Sequence, residues 1–390
     1  MKVLITTDLY TIETNGVVTS VRNLTNELVA RGHDVRILTF SDSSHSYRIG
    51  SVYYIRSLPI GAIYPDVRMP TSYRHRLIKQ IIDWKPDVIH SQCEFFSFQY
   101  AQRISKLTGA PVVHTYHTLY EQYAGYVMPI KSVGEKAVGT LSRRRLKDVQ
   151  CIIAPTRKVE NVLRGYGLNV PIRVVPSGIC LEQHKIRYNA QERNAARAEL
   201  GIGEDTLVML SIGRLGREKN LDELIRYFAQ KVSPAQDVKF LIVGGGPARE
   251  QLEKLAQELD VADRVIFAGM VPPDQVQRYY QLGDFFVSAS TSETQGLTYV
   301  EASANGLPLL CRRDPCLLDV MQEGVNGFAF ENEDEFYAHF ERIVTDRQWR
   351  LEAGKHSEAL SAAFGTDVFG RSMEQIYRKV VNAALKGELV

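Results

Sequence analysis

The chain has 390 residues, of which 44% are hydrophobic and 24% are charged, a composition typical of a folded globular protein. No stretch of about 18 consecutive apolar residues occurs, so the sequence predicts no membrane-spanning helix, and its length favours two domains over one. The five cysteines form no Cys-x-x-Cys pair, which argues against a disulfide framework or a zinc site. The first apolar run stops at Asp8 and is too short for a signal peptide, so we expect a cytoplasmic protein.

Charge is distributed unevenly along the chain, although the formal net charge is only +2. Residues 1–180 contain 23 lysines and arginines against 13 aspartates and glutamates, and the remaining residues carry an excess of acid. A basic N-terminal half creates a positive surface field. Such a field would attract nucleic acid, an anionic lipid surface or an anionic substrate.

Short apolar runs alternate with helix-like spacing of apolar residues along the whole chain. In the N-terminal half the predicted strands are Val3–Thr6, Val35–Phe40, Asp87–His90, Pro111–Thr115 and Cys151–Ala154. After a pause near Pro176, the predicted strands are Leu207–Ile212, Phe240–Val243, Val265–Ala268, Phe285–Ser288 and Leu309–Leu310. This alternation predicts an α/β protein with two doubly wound parallel sheets. Such sheets bind ligands beyond the carboxyl ends of their strands, so we expect the site in the cleft between the two domains.

The loop between the first predicted strand and the following helix ends in Asn15-Gly16. It lacks the G-x-G-x-x-G fingerprint, so dinucleotide binding of the usual kind is not supported. Gly16 would let a ligand approach the backbone at a helix start, where the helix dipole favours anions. Asn15 acting as a plain helix cap explains the same residues equally well.

Two loops of the C-terminal half follow predicted strands and contain residues suited to a diphosphate. The first contains Arg214 and Lys219, whose guanidinium and ammonium groups match phosphate oxygens. The second contains Gly244, Gly245 and Gly246, which permit close approach of a base or a phosphate. A solvated loop and a simple tight turn are the alternatives. The basic loop lies at the end of a strand, and this position favours the binding interpretation for it.

The most specific segment is Ser292–Ala302, in which seven residues separate Glu293 from Glu301. Glu293 is predicted to lie in a loop and Glu301 on the helix that follows. A carboxylate in such a place accepts hydrogen bonds from sugar hydroxyls, and the amides of the helix start favour an anion. The residues at that helix start are Thr294, Gln295, Gly296 and Leu297. Taken as an isolated pair, the two glutamates are better explained as a capping acid and a surface acid.

Two histidines, His114 and His117, lie at the end of a predicted strand. With no third ligand nearby they do not predict a metal site. We expect His117 to contact a substrate or to transfer a proton, and we expect His114 to be a buried histidine whose hydrogen-bonding atoms have partners.

A basic helix is predicted from Ile130 to Asp148. Its basic residues are Lys136, Arg143, Arg144, Arg145 and Lys147, and its apolar face would contain Ile130, Val133, Ala137 and Leu141. Aromatic residues expected to be exposed nearby are Tyr116, Tyr120, Tyr123 and Tyr126. A helix that covers the sheet with a solvated basic face is one explanation. The positive charge of this half favours the other, a helix lying on an anionic membrane.

Together and in this order, the Glu-x7-Glu element, the GRLGREKN segment and the GGGP turn resemble family 4 glycosyltransferases of the GT-B fold. The resemblance covers nearly the whole chain. It implies two Rossmann-like domains, residues 1–176 and 177–365, facing a cleft, with a last helix, residues 366–390, packing on the first domain. It also implies a retaining, metal-independent transfer of a hexose from a UDP-sugar.

The same resemblance implies roles for the donor-site residues. Glu293 would contact the hexose and Glu301 the ribose, while Arg214 and Lys219 would hold the diphosphate. The chain contains no Asp-x-Asp motif, which a metal-dependent nucleotide-sugar site usually has. The charge of the leaving diphosphate would then be met by these cations and a helix N-terminus, and we expect neither metal nor cofactor.

The resemblance also suggests an acceptor. The stretches NGVVTSVRNL, HTYHTLYEQYAGY and ETQGLTYVEA are most similar to bacterial diacylglycerol glucosyltransferases. This similarity implies UDP-glucose as donor, diacylglycerol in an anionic membrane as acceptor, and the inner face of the cell membrane as the location. His117 would match the family's histidine near the scissile bond. Gly16 would match its N-terminal glycine loop, where the family often has Gly-Gly instead of Asn15-Gly16.

Rival interpretations keep the fold but change the function. Phosphatidylinositol, a soluble thiol precursor or a polysaccharide end are alternative acceptors. A catalytically inactive binding subunit is disfavoured, because it would not need Arg214, Lys219, Glu293 and Glu301 together. A nucleic-acid binder is disfavoured because the basic half has no recognised motif and no aromatic residues interleaved with its cations.

Overall fold

The structure is a computed structural model of the chain. It describes residues 1–10, 15–60, 68–119, 131–233 and 235–388, and within the segment 131–137 it describes the backbone alone. The chain divides into two compact units. The first comprises Met1–Gly178 and Thr366–Val390, and the second comprises Ile179–Gly365. No helix in the described ranges is both long and apolar enough to cross a membrane.

The first unit is built on a nine-stranded sheet. Its strands are β1 (Lys2–Thr6), β2 (Asp34–Ser41), β3 (Tyr47–Ile49), β4 (Val52–Pro59), β5 (Arg68–Pro70), β6 (Val88–Ser91), β7 (Val112–Thr115), β8 (Cys151–Ala154) and β9 (Ile172–Val174). Its helices are α1 (Gly16–Ala30), α2 (Arg76–Trp84), α3 (Phe96–Thr108), α4 (Lys131–Leu146), α5 (Arg157–Gly165) and the last helix of the chain, α14 (Thr366–Lys386). The strand order is β3-β4-β2-β1-β6-β7-β8-β9, with β5 paired to β4.

The strands from β2 through β1 to β9 run parallel and are covered on both faces, which explains their almost unbroken apolar sequences. One face packs against α1 and α14, and the other packs against α2, α3 and α5. The predicted parallel arrangement is confirmed for most of the sheet, and at one edge two further strands, β3 and β5, pair antiparallel with β4. Antiparallel edge strands need only short connections, so they give no β-helix-β pattern to detect.

Helix α14 completes the core of the first unit. Its residues Phe369, Met373, Tyr377 and Val380 are buried against the sheet and α1. The hydroxyl of Tyr377 lies 2.6 Å from Nδ1 of the buried His90 on β6. The C-terminal segment is therefore part of the interior of the first unit.

The second unit contains a six-stranded, entirely parallel sheet. Its strands are β10 (Leu207–Ile212), β11 (Val238–Val243), β12 (Val265–Gly269), β13 (Phe285–Ser288), β14 (Leu309–Arg312) and β15 (Gly327–Phe330). Its helices are α6 (Leu181–Lys185), α7 (Ala190–Glu199), α8 (Leu221–Lys231), α9 (Arg249–Glu258), α10 (Val276–Tyr280), α11 (Leu297–Ala304), α12 (Glu333–Thr345) and α13 (Arg347–Ser361). The order β12-β11-β10-β13-β14-β15 is the Rossmann order, so the predicted α/β class with two doubly wound sheets is confirmed.

Candidate active site

In a doubly wound sheet, ligands bind where the strand order reverses, at the carboxyl ends of the strands. In the second unit that point lies between β10 and β13. The loop after β10 contains Arg214 and Lys219, and the loop after β13 contains Glu293 and leads into α11. The fold therefore brings residues from two distant parts of the sequence to one edge. The Arg214 side chain is exposed and makes no hydrogen bond or ion pair within the described ranges, so its guanidinium is available to an anion.

Lys219 and Glu293 form an ion pair at this edge, between Nζ and Oε1. Both side chains are partly accessible, 28% for Lys219 and 16% for Glu293. The neighbouring Asn220 has a left-handed backbone, with φ of 50°, and donates from Nδ2 to the carbonyl of Ala289 at 3.0 Å. Asparagine tolerates this conformation better than most residues. Its hydrogen bond ties the two loops together and so holds the ammonium beside the carboxylate.

The glycine turn after β11 packs tightly against the loop after β10. A Cβ added to Gly244 would lie 1.9 Å from the carbonyl oxygen of Gly213, and Gly244 has a φ of 138° that side chains rarely adopt. Chain packing therefore accounts for Gly244 without any ligand. Gly245 differs, because the atoms nearest to a Cβ there would be those of the Met270 side chain, at 3.5 Å, an ordinary contact. Of the two glycines predicted to bind the donor, Gly245 is the one whose replacement would cause no steric clash.

Helix α11 begins directly after the Glu293 loop. Gly296 caps the helix with a φ of 73°, and a Cβ at this position would lie 2.5 Å from the ring of Tyr299. The first amides of a helix have no partner within the helix. The predicted donor-binding residues Thr294, Gln295, Gly296 and Leu297 are all at this end of α11. The helix start thus faces the same sheet edge as the Lys219–Glu293 pair.

Glu301 lies one helical turn further along α11 and is partly buried. Its Oε2 accepts a hydrogen bond from the hydroxyl of Tyr280 at 2.7 Å. Burial raises the pKa of Glu301 to about 7, and the Tyr280 hydrogen bond opposes that rise. Sequence reasoning missed Tyr280, because no sequence pattern connects a tyrosine to a carboxylate 21 positions away. Glu293 and Glu301 therefore sit in different environments.

In the first unit the strand order reverses between β1 and β6, and His117 lies just beyond β7. Its Nε2 is 2.7 Å from Oε1 of Gln92, which follows β6. Because an amide oxygen only accepts, the imidazole donates through Nε2 and keeps Nδ1 as an acceptor. Burial, together with the nearby His114, lowers the pKa of His117 to about 3. His117 is therefore neutral near pH 7.

His114 is fully buried, as predicted, with Nε2 3.3 Å from Oε1 of Glu94. The prediction that its hydrogen-bonding atoms all have partners is wrong, because Nδ1 has none within the described residues. In the part of the chain that the structure describes, no group of three or more His, Cys, Asp or Glu side chains is placed to hold a metal ion.

Two sequence families match the two halves of the chain. The profile described as Glycosyltransferase Family 4 matches residues 14–183, and that of the Glycosyl transferases group 1 matches residues 192–360. The alpha-monoglucosyldiacylglycerol synthase of Streptococcus pneumoniae is 34% identical over 337 residues, which cover 86% of this chain and 76% of that protein. This chain belongs to glycosyltransferase family 4.

Further relatives agree with this assignment. The alpha-monoglucosyldiacylglycerol synthase of Acholeplasma laidlawii is 29% identical over 98% of both chains. Among solved structures, Anabaena HepE in complex with UDP and glucose superimposes with a TM-score of 0.76 at 17% identity, over 97% of this chain and 100% of that chain. Sucrose-phosphate synthase from Thermosynechococcus elongatus superimposes with a TM-score of 0.78 at 21% identity, over 98% of this chain and 99% of that chain. These likenesses confirm the predicted GT-B fold, and the family makes the protein an enzyme that transfers a sugar.

The predicted basic helix of the glycosyltransferase is α4. Its exposed basic side chains in the described part are those of Arg143 and Arg144, and the exposed Lys147 follows directly after the helix ends. Arg145 is only partly exposed and donates from its guanidinium to the carbonyl of Glu94. The side chain of Lys136 lies outside the described residues.

One expectation about this part of the glycosyltransferase is wrong, and another is not decided. Leu141, placed on the apolar face of the predicted helix, is 54% exposed, and the buried positions near it are Ser142 and Leu146. Its exposure fits a face that lies on a membrane better than one that covers the sheet. Tyr116, expected to be exposed, is fully buried, with its hydroxyl 3.4 Å from Oγ of Ser142. It follows directly on the buried strand β7, whose packing it shares. The other three tyrosines, Tyr120, Tyr123 and Tyr126, lie outside the described residues.

The N-terminal glycine loop of the glycosyltransferase is described from Asn15 onward. Asn15 caps α1, because its Oδ1 accepts from the amide of Val18 at 2.9 Å. The capping interpretation is therefore confirmed. Gly16 is the first residue of α1 and is exposed, and its contact with a ligand stays a prediction.

Sequence reasoning also missed a buried acid in the first unit of the glycosyltransferase. Asp8 follows β1, and its Oδ1 accepts from the backbone amide of Ser97 at 2.8 Å, at the start of α3. Burial raises the pKa of Asp8 to about 6, and the Ser97 hydrogen bonds and the charge of Glu94 modify it in opposite directions. The available signal was the position of Asp8, directly after the first strand of a doubly wound sheet.

Proposed function

We propose that this glycosyltransferase transfers glucose from UDP-glucose to the free hydroxyl of 1,2-diacylglycerol at the inner face of the cell membrane, with retention of configuration and without a metal ion. The observation that carries the donor side is the Lys219–Glu293 pair beside the start of α11, at the reversal point of the second sheet. The acceptor is supported by the two relatives named alpha-monoglucosyldiacylglycerol synthases.

In this proposal the donor binds along the carboxyl edge of the second sheet. Arg214 and Lys219 hold the diphosphate, helped by the positive end of the dipole of α11. Glu293 accepts hydrogen bonds from the hexose, and Glu301 accepts them from the ribose. Gly245, which lacks a side chain at this edge, lets the nucleotide approach the backbone.

The proposed reaction takes place on one face of the sugar. The bond between the anomeric carbon and the phosphate oxygen breaks, and the acceptor oxygen bonds to the same face of that carbon. The proton of the acceptor hydroxyl passes to the leaving phosphate of UDP. Arg214 and Lys219 stabilise the negative charge that develops on that phosphate, which is the main contribution expected of the protein. His117, which is neutral near pH 7, exchanges hydrogen bonds with the sugar but supplies no charge.

The affinity for UDP-glucose should rise with pH. The pKa of Glu301 is about 7, and only the ionised carboxylate accepts hydrogen bonds at both oxygens from the ribose hydroxyls. If ionised Glu301 is the binding form, affinity increases about tenfold between about pH 6 and about pH 8, following the ionised fraction. Titration calorimetry with UDP-glucose measures this, because the diphosphate of UDP-glucose does not change its charge in that range.

The variant Glu301→Gln is the control for that measurement and should show a low, pH-independent affinity. A wild-type affinity that is constant from about pH 6 to about pH 8 would remove Glu301 from the ribose site.

Membrane attachment is proposed to use the exposed basic residues at the end of α4. Exchanging Arg143 and Arg144 for glutamine should weaken binding to anionic vesicles by about 1 kcal/mol for each charge. Co-sedimentation with vesicles containing phosphatidylglycerol measures the change. Arg145 is left intact, because it contacts the Glu94 carbonyl.

The matched control exchanges Arg371 and Arg378 of α14 for glutamine. Both are exposed, and each pairs with an acid four positions earlier. This control removes the same net charge from another face of the same unit. Equal weakening in the two double variants would show that total charge, and not α4, determines vesicle binding.

The proposed function is tested by measuring UDP release from UDP-glucose with vesicles that do or do not contain diacylglycerol. Release that requires diacylglycerol, together with a monoglucosyl lipid of α configuration, is the expected result. Activity should persist in the presence of a metal chelator. Release that does not depend on lipid would keep the glycosyltransferase assignment and overturn the acceptor, and a β-linked product would overturn retention.

A further inference from the structure

At the reversal point of the first sheet, buried polar atoms lack hydrogen-bond partners. Oδ2 of Asp8, Nε2 of Gln92 and Nδ1 of His114 are all buried, and none of them has a partner within the described ranges. Asp8 is 7% exposed and Gln92 is 2% exposed. Most buried polar atoms in folded proteins have a partner, because burying one without a partner is costly. A cluster of such atoms at a ligand-binding edge therefore requires an explanation.

The partnered atoms of the same side chains show that their orientation is fixed. Oδ1 of Asp8 accepts from the Ser97 amide at 2.8 Å, and Oε1 of Gln92 accepts from His117 at 2.7 Å. One end of each side chain is thus held by the protein, and the other end is left without a partner. Capping of α3 explains Oδ1 of Asp8 but leaves Oδ2 unexplained.

Asp8 and Gln92 are brought together by the sheet. Thr6 of β1 is paired with Ser91 of β6, and the amide of Gln92 donates to the carbonyl of Thr6 at 2.8 Å. Asp8 and Gln92 therefore leave neighbouring strands at the same edge. Their free atoms are complementary in kind, one an acceptor and the other a donor.

An alcohol can serve both kinds of free atom. Its hydrogen can be donated to a carboxylate, and its oxygen can accept from an amide NH₂ group. A carboxylate or phosphate ligand would suit the site less well, because Asp8 and the buried Glu94 would both repel it. The site therefore favours a neutral ligand that presents a hydroxyl group. The exposed hydroxyl of diacylglycerol has this chemistry, and its neighbouring groups are uncharged esters.

We infer that Asp8 and Gln92 bind the acceptor hydroxyl, with Oδ2 of Asp8 accepting from it and Nε2 of Gln92 donating to it. This inference rests on the proposed function for the identity of the acceptor. Because His117 donates to the same Gln92 side chain, the acceptor hydroxyl lies beside the histidine proposed to contact the sugar.

The first test is the variant Asp8→Asn. It retains the oxygen that accepts from Ser97 and replaces the free acceptor by a donor of the same size. The kcat/KM for diacylglycerol should fall about 10- to 150-fold, the range for a lost hydrogen bond to a charged group. Binding of UDP-glucose and its slow hydrolysis without acceptor should remain as in the wild type, which also shows that the variant is folded.

The matched control is Asp87→Asn. Asp87 also accepts a hydrogen bond from a backbone amide, that of Lys2 at 2.6 Å. It directly precedes β6, however, and so lies at the amino ends of the strands, away from the proposed site. Its replacement should leave kcat/KM for diacylglycerol unchanged. A second variant, Gln92→Glu, keeps the oxygen that accepts from His117 and loses the free donor. It should show the same fall in kcat/KM for diacylglycerol, and it replaces Asp8→Asn as the test if that variant does not fold.

A diacylglycerol analogue whose hydroxyl is replaced by hydrogen separates a hydroxyl contact from a merely structural role. Wild-type enzyme should bind diacylglycerol more tightly than this analogue, and Asp8→Asn should bind the two equally. A folded Asp8→Asn enzyme with wild-type kcat/KM for diacylglycerol would overturn the inference and leave the proposed function intact. A wild-type enzyme that does not glucosylate diacylglycerol would overturn the proposed function, and with it the acceptor named here.

Discussion

Replacing Glu293 by glutamine should lower kcat by about 100- to 1000-fold, while the Kd for UDP changes by less than about threefold. The Glu293 carboxylate faces Lys219 at the reversal point of the second sheet and is still partly accessible to a ligand. A contact to the hexose that strengthens in the transition state would be lost with it, whereas UDP lacks the hexose and does not use it. Steady-state kinetics with UDP-glucose measures kcat, and calorimetry with UDP measures the Kd for UDP.

The control is Glu253→Gln, which breaks the Arg249–Glu253 ion pair on the surface of α9. This variant should leave both kcat and the Kd for UDP unchanged. Unchanged turnover in Glu293→Gln would disprove the sugar contact. Parallel losses in turnover and UDP affinity would instead mean that Glu293 acts by holding Lys219 against the diphosphate.

Replacing Gly244 by alanine should destabilise the second unit by about 3–5 kcal/mol, the range of severe packing defects. The new Cβ would lie 1.9 Å from the carbonyl oxygen of Gly213, which belongs to backbone and cannot rotate away. The φ of 138° adds strain, because alanine rarely adopts it. Thermal unfolding followed by circular dichroism should show a Tm lower by roughly 10 °C.

Gly245→Ala is the adjacent comparison. Its Cβ would make only an ordinary contact with Met270, at 3.5 Å, so Tm should stay within about 2 °C of the wild type. A clear loss of UDP affinity in this stable variant would support the donor-site role of Gly245. Equal Tm values for the two variants would refute the assignment of Gly244 to chain packing.

The sequence predicts ten of the parallel strands, because buried parallel strands are short apolar runs between helices, but it misses the parallel strands β4, β9 and β15. Strands β10 and β13 have the predicted bounds, Leu207–Ile212 and Phe285–Ser288. The edge strands β3 and β5 were not predicted, since they are three residues long and only partly buried. Strands of this length carry too few side chains for a period to be seen.

The candidate site was predicted where a short motif contains all its members. Seven residues separate Glu293 from Glu301, and both belong to one loop-helix element, so their spacing alone identifies them as candidates. Tyr280 and Asp8 were missed for the opposite reason. Their partners, Glu301 and Ser97, are distant in the sequence, and only the sheet order brings them into contact.

The buried side of α4 could not be predicted for a related reason. A weakly amphipathic helix with few large apolar residues does not specify which side is buried. Packing decides this instead: Gly139 is buried, and a Cβ there would lie 2.8 Å from the ring of Tyr166. Small residues on the buried side can be detected only once the partner element is known.

The position of α14 in the core of the first unit determines the order in which the protein can fold during synthesis. Met373, Tyr377 and Val380 emerge from the ribosome after the whole second unit, yet they fill the face of the first sheet beside α1. Domains usually fold in the order of their synthesis. Here the unit that is synthesised first keeps an apolar surface exposed until α14 has been synthesised. The second unit, which is continuous in sequence, can complete its core earlier. A nascent chain arrested before residue 366 should therefore expose the α1 face of the first unit to chaperones.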